Sequence, residues 1–267
     1  MAKTNVITDA ELVSQFAKKA MEEPEAVIAP SQAPSDTTVE LPGGFVTEDG
    51  EVVKTAEVRE LNGADEEAIS RAGSRAKALG ILLTRGLVRV GSEEATKETL
   101  DLLLSGDRDA ILIGIRKVTF GADMPVQIKC FNCSEEQEAV IDLNNDVPYK
   151  TLKDSVNERN WIVKTKSGPV LVALPTGVVQ QKLMDNADKT SAEINTMLLA
   201  GCVMSVNGVP SMGAHTALSL SMSDRTKIIE EILKRNPGPR LGEVNKLCKA
   251  CGENISTPLS LLDLFQL

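Results

Sequence analysis

Five cysteines hold most of the chemistry available to this sequence: Cys130, Cys133, Cys202, Cys248 and Cys251. Four of them form two Cys-x-x-Cys pairs, CFNC and CKAC. A two-residue spacer lets a tight knuckle turn aim both sulfurs at one ion, and soft thiolates favour zinc. The opening residues, MAKTNVITDAEL, hold no apolar signal region. The expected compartment is therefore reducing, which disfavours structural disulfides. A thioredoxin-like redox pair is disfavoured as well, because neither pair has the usual Trp or Pro flank. We read Cys130, Cys133, Cys248 and Cys251 as the ligands of a structural, four-cysteine zinc site. Zinc ribbons usually separate their pairs by about 15–20 residues, whereas 114 residues lie between Cys133 and Cys248. The spacing thus predicts two knuckles, and leaves open whether they share one ion or form half-sites completed by another subunit.

Little else in the chain suggests catalysis. The single histidine, His215, lies in SMGAHTALS with no acidic neighbour to orient it, and reads as a surface-loop residue. Phosphate-loop, dinucleotide, nucleophile-elbow and zinc-protease motifs are absent from the sequence. Asp107-Arg108 and Asp224-Arg225 look reactive, but both open helices, where an acid offsets free N–H groups and the helix dipole. We expect capping by the Asp and pairing of the Arg with a facing carboxylate. The net charge of −9 argues against general binding to nucleic-acid backbones. No apolar run reaches the roughly 18–20 residues of a membrane span. A hydrophobic share of 42% over 267 residues is ample for a core. No small-molecule substrate is expected.

The elements that must position the cysteines follow from local pattern. Residues 1–23 read as an amphipathic helix with a stripe of Leu12, Val13, Phe16, Ala17, Ala20 and Met21. That stripe is expected to be a docking arm for a partner's groove, or else to pack on its own domain. Residues 24–43, rich in Pro, Ser, Thr and acids, read as an extended linker. GFVTEDGEVVKTAEVREL reads as a hairpin turning at Asp49-Gly50. A helix capped by Asn62, a short strand or turn at GLVRVG, and helices over SEEATKETLDLLL and DRDAILIGIRKV follow. MPVQIK and EAVIDL are strands that enter and leave the first knuckle.

The second half repeats this order. WIVKTKSGPVLVALP is a hairpin, and TGVVQQKLMD a helix with Thr176 as N-cap. SAEINTMLLA and SMSDRTKIIEEILKR are helices, the latter ended by Asn236-Pro237-Gly238-Pro239. Val58 matches Val172 at an offset of 114, and Asn62-Gly63 matches Thr176-Gly177 at the same offset. Gly86 matches Gly201 at 115, Asp107-Arg108 matches Asp224-Arg225 at 117, and the cysteine pairs match at 118. An offset that only grows is the mark of a duplication with small insertions. The predicted fold is α+β, with two tandem pseudo-repeats of about 100 residues, a common domain size. Residues 44–143 and 161–267 carry one knuckle each, and 144–160 connects them. If the copies pack about a pseudo-twofold axis, the knuckles meet and share one zinc ion. Cys202 takes the place of Leu87 in this alignment, which marks it as a buried small hydrophobe and not a ligand. Trp161 and Tyr149 are expected to pack near the junction.

The stretches LPGGFVTEDGEVVKTAEVRELNGADEEAI, LLLSGDRDAILIGIRKVTFGADMPVQIKCFNC and DRTKIIEEILKRNPGPRLGEVNKLCKACG resemble the tail baseplate proteins of contractile-tailed bacteriophages, in the family of the T-even hub assembly protein. The resemblance covers most of residues 41–255. It implies a virion or assembly protein of the tail baseplate, made in the bacterial host cytoplasm, with no catalysis. It also implies hub, wedge, tail-tube or tape-measure proteins as partners, in a symmetric assembly of several copies. A zinc-ribbon protein that binds nucleic acid or regulates is the alternative.

Overall fold

The computed structural model describes residues 37–265. The docking arm read over 1–23, and most of the stretch read as a linker, lie outside the described residues. The last part of that stretch is already strand, because β1 runs from Thr38 to Val46. Its Leu41 is buried, so residues 38–43 belong to the fold.

β1 pairs antiparallel with β2 (Val52–Val58), turning at Gly50, whose φ is 84°. The segment read as one helix after Asn62 is two. α1 (Gly63–Ser70) starts at Asn62, whose side chain accepts from the Ala64 and Asp65 N–H groups in a capping box. Gly73, at φ 68°, breaks the run, and Ser74 caps α2 (Arg75–Gly86). β3 (Leu87–Val90) pairs with β2, and β4 (Glu93–Glu94) pairs with β3. The helix expected from Ser92 therefore starts late: Thr96 caps α3 (Lys97–Leu102). α4 (Ser105–Phe120) packs on β1, β2 and α2. β5 (Asp123–Lys129) and β6 (Glu136–Asp142) form the first knuckle hairpin, and β7 (Tyr149–Lys150) follows.

In the second half, β8 (Asn160–Thr165) and β9 (Gly168–Ala173) form the expected hairpin. α5 (Gly177–Met184) starts after Thr176, whose side chain makes no capping bond. α6 (Ser191–Cys202) leads to β10 (Val203–Val206) and β11 (Val209–Pro210), two strands not expected from the sequence. α7 (Ala214–Ser219) occupies the stretch read as a loop around His215. α8 (Met222–Arg235) packs on β8, β9 and α6. β12 (Gly238–Pro239) pairs with β7, and β13 (Asn245–Leu247) with β14 (Asn254–Ser256) forms the second knuckle hairpin.

One four-stranded sheet runs β1-β2-β3-β4 and the other β8-β9-β10-β11. Each buries one face under its own helices. The first core holds Leu41, Leu82, Ile111 and Ile115, and the second holds Val170, Val172, Leu199, Ile228 and Ile232. Trp161 belongs to this second core, and Arg235 lies 5.0 Å over its ring. Tyr149 is half exposed on β7. A third cluster joins Ile113, Met124 and Ile141 to Val244 and Leu264, so the chain's C-terminal part packs against first-half elements.

Candidate metal centre

Both knuckles close by the same bonds. After β5 the Cys130 N–H donates to Glu135 O at 2.9 Å, and the Ser134 N–H donates back to Cys130 O at 2.9 Å. After β13 the Cys248 N–H donates to Glu253 O at 2.8 Å, and the Gly252 N–H to Cys248 O at 2.9 Å. Each turn needs a left-handed residue at its fourth position. Ser134 has φ 63° there and Gly252 φ 74°. The strained position falls on serine in one knuckle and on glycine, which bears it freely, in the other.

The two hairpins bring all four sulfurs within 4.8 Å of one another. Cys130 Sγ lies 3.7 Å from Cys251 Sγ, and Cys133 Sγ 3.6 Å from Cys248 Sγ. A tetrahedron of thiolates at about 2.3 Å from zinc has edges of about 3.8 Å. Both separations match that edge and are far longer than a disulfide bond of about 2.05 Å. Cys130 and Cys248 are buried while Cys133 and Cys251 are exposed, so each knuckle offers one inner and one outer sulfur. The backbone N–H of Glu253 favours the thiolate of Cys251 and brings it down to about 7. At Cys133 the Glu135 N–H acts in the same sense, but local desolvation and the thiols of Cys251, Cys248 and Cys130 override it and push the group up to about 12. Four crowded thiols cannot all ionise without a cation among them, which is the electrostatic setting a metal ion relieves.

The hairpins also hold each other. Gln137, buried on β6, donates through Nε2 to Leu247 O at 3.1 Å and accepts from the Lys249 N–H at 2.8 Å. Ile128, Cys130, Ala139, Cys248 and Ile255 form a small core beneath the sulfurs. The sequence reading missed Gln137. Its signal is a polar residue on the inward beat of EQEAVID, where Gln137, Ala139 and Ile141 alternate with exposed residues.

A match to the family described as T4 bacteriophage base plate protein covers residues 89–266, well over half of the chain. The chain belongs to that baseplate family. It is thereby a phage virion tail component. No curated protein and no solved structure matches the chain. No helix among the described residues is long and apolar enough to cross a membrane.

The other residues singled out in this baseplate protein lie apart from the sulfurs. Cys202 is fully buried in the second core, and burial pushes its thiol up to about 12. His215 is exposed on α7, a helix and not a loop. Asp107 and Asp224 each stand third in their helix and do not cap it. Asp224 reaches across to the β8–β9 turn, accepting from the Lys166 N–H at 2.9 Å and from the Ser167 hydroxyl at 2.7 Å. Asp107 accepts from the Gly43 N–H at 2.6 Å, beside the irregularity in β1. Among the described residues, neither arginine has the expected carboxylate partner. Arg108 reaches Gln181, and Arg225 donates to Ala217 O at 2.7 Å.

Proposed function

We propose that this chain is a non-catalytic structural or assembly component of the hub or wedge region of a phage tail baseplate. It acts through protein–protein contacts and is stiffened by one structural zinc ion bound by Cys130, Cys133, Cys248 and Cys251. The observation that carries this reading is the convergence of four thiols from two distant knuckles, in a chain of the baseplate family. The donor set is all sulfur and closed, leaving no ligand position for a reacting water. The segment with Leu12, Val13, Phe16 and Ala20 is the docking arm toward other tail proteins.

The halves are two copies of one unit, spanning residues 44–143 and 161–267 with 144–160 between them. Matched element lengths support this. α1 and α5 have 8 residues each, α2 and α6 12, β3 and β10 4, β4 and β11 2, and α3 and α7 6. Strand register agrees: Arg89 faces Glu94 as Ser205 faces Pro210, and Lys129 faces Glu136 as Leu247 faces Asn254. Register also revises two pairings, Gly86 with Gly201 and Leu87 with Cys202. Leu87 faces Val58 and Val203 faces Val172, so Leu87 corresponds to Val203 and Cys202 to Gly86. The sulfur contacts are twofold, since Cys130–Cys251 and Cys248–Cys133 exchange under the correspondence.

Nucleic-acid binding is the weaker reading. Lys129 is engaged by Glu136, and Lys249 by the Glu138 carbonyl. Elemental analysis of the purified full chain tests the proposal. About one zinc per chain is expected, with loss of the metal in Cys130→Ser and in Cys251→Ser and its retention in Cys202→Ser. Full zinc in both ligand variants would overturn the shared site.

A further inference from the structure

We propose that the chain self-associates head to tail, a second copy docking its β2–α1 corner onto the α7–α8 corner of the first. The inference rests on the reading of the two halves as copies of one unit.

Inside the chain the halves meet through unlike corners. The Gly177 N–H donates to Leu103 O at 2.8 Å, and the Ser105 N–H to Pro175 O at 2.9 Å. These bonds form a bridge centred on Leu104 and Thr176. Gly177 has no room for a side chain, because an added Cβ would lie 2.1 Å from Leu100 O. α5 beds against α2, α3 and α4. Arg108 donates to Gln181 Oε1 at 3.4 Å across this contact. The α3–α4 corner of the first half thus receives the β9–α5 corner of the second.

Each half carries both kinds of corner, so two are left over. The counterpart of Pro175-Thr176-Gly177 is Leu61-Asn62-Gly63, and that of Leu103-Leu104-Ser105 is Leu220-Ser221-Met222. An added Cβ on Gly63 would meet nothing within 4 Å. Among the described residues, no hydrogen bond uses the Gly63 N–H, the Leu61 carbonyl, the Leu220 carbonyl or the Met222 N–H. Those are the four groups whose counterparts build the internal bridge.

The side chains agree. Leu218 and Met222 are 68% and 86% exposed, at positions where the first half has Asp101 and Ser105. The Leu61–Gly63 corner opens on a groove of about 480 Å³ walled by Leu61, Ile69, Leu82 and Phe120. A long apolar side chain such as Met222 suits that groove better than the small Ser105 of the internal contact would. Arg225 is the counterpart of Arg108, and Glu67 of Gln181. In the free chain Glu67 pairs with Arg71 and Arg225 with Ala217 O, so an opposite-charge pair between copies would form by exchange of these exposed partners, where the internal contact sets a cation against an amide. Joining unlike corners leaves one of each kind free at the ends, so the products are rings or open chains.

Sedimentation of the full chain at rising concentration tests this, with Gly63→Leu and Met222→Asp as blocking variants. Species larger than the 28.6 kDa monomer are expected for the wild type. Each variant should keep the wild-type thermal transition and associate at least roughly tenfold more weakly. An equimolar mixture of the two variants should give a one-to-one dimer and nothing larger, because each supplies one intact corner. A wild type that stays monomeric up to about 1 mM, or association that survives both substitutions, overturns the proposal. If Gly63→Leu unfolds the monomer, the corner at Gly63 is not the open counterpart of Gly177, and the equivalence of the halves fails instead.

Discussion

Asp107 is the residue whose surroundings make the sharpest prediction. It is fully buried, its Oδ1 accepts from the Gly43 N–H, and its Oδ2 meets no hydrogen-bond geometry among the described residues. Burial pushes its carboxyl up to about 6, while the Gly43 N–H and the cations of Arg159 and Lys54 restrain the rise. The folded chain therefore holds this proton more tightly than the unfolded chain does. The stabilisation is complete below about pH 4 and is lost as pH rises through about 6. Proton affinities that differ about a hundredfold between folded and unfolded chain correspond to about 3 kcal/mol. Asp224 has the opposite sign: the Ser167 hydroxyl and the Lys166 N–H hold it down at about 2, so its contribution disappears on acidification. Comparing Asp107→Asn with the wild type cancels the groups that Asp107 does not influence, while Asp109, which the Asp107 charge helps to raise, shifts with it. Urea unfolding at about pH 4.5 and about pH 7 should show the wild type losing about 2 kcal/mol more than the variant between those points. Parallel pH profiles would mean that the Asp107 carboxyl titrates normally.

At the scale of elements, tightness falls where two segments cross, and glycine marks the place. In α4, Gly106 passes so close to Pro237 that an added Cβ would lie 1.7 Å from its carbonyl oxygen. In α2, Gly80 has only Gln181 Oε1 nearby, at 3.5 Å. Alanine is favoured over glycine in a helix interior by about 1 kcal/mol. Gly80→Ala should therefore raise thermal stability slightly. Gly106→Ala should lower it by roughly 3 kcal/mol, because the collision is with backbone that cannot turn aside. Equal melting temperatures for the two variants would refute the close crossing. Nothing in the sequence separates these two glycines, since the crossing depends on a residue far along the chain. Local signals were legible: the Asn62 cap, the turn at Gly50 and both knuckles. The Asn207-Gly208 turn, with both residues at positive φ, is also a readable hairpin signal, but its strands β10 and β11 are too short to show alternation. The four cysteines were legible as two knuckle pairs by type and spacing, and their sulfurs do converge. The work of Asp107, Asp224 and Gln137 was not, because their partners lie in distant segments.

Across the whole molecule, the two halves are joined in three places that differ in kind. The bridge at Leu104 and Thr176 joins the bodies, the cluster of Ile113, Met124, Val244 and Leu264 ties the C-terminal part to first-half elements, and the sulfurs join the hairpin tips. Of these, the tips have the least apolar support, so the ion would matter most there. Structural zinc contributes on the order of 10 kcal/mol to a small site. Removing the proposed ion with a strong chelator at neutral pH should leave the two large cores standing, because neither includes any of the four clustered cysteines. The loss should begin at the knuckles. The amides of Ser134 and Gly252, which close the turns onto Cys130 and Cys248, should exchange with solvent at least roughly a hundredfold faster after chelation. Amides in α4 and α8 should change by less than about threefold. Hydrogen exchange read by mass spectrometry on the full chain distinguishes the patterns. Unchanged knuckle protection after complete zinc removal would show that Gln137 and the small core beneath the sulfurs hold the tips without metal. Uniform acceleration through α4 and α8 would show that the ion supports both bodies and not only their joint.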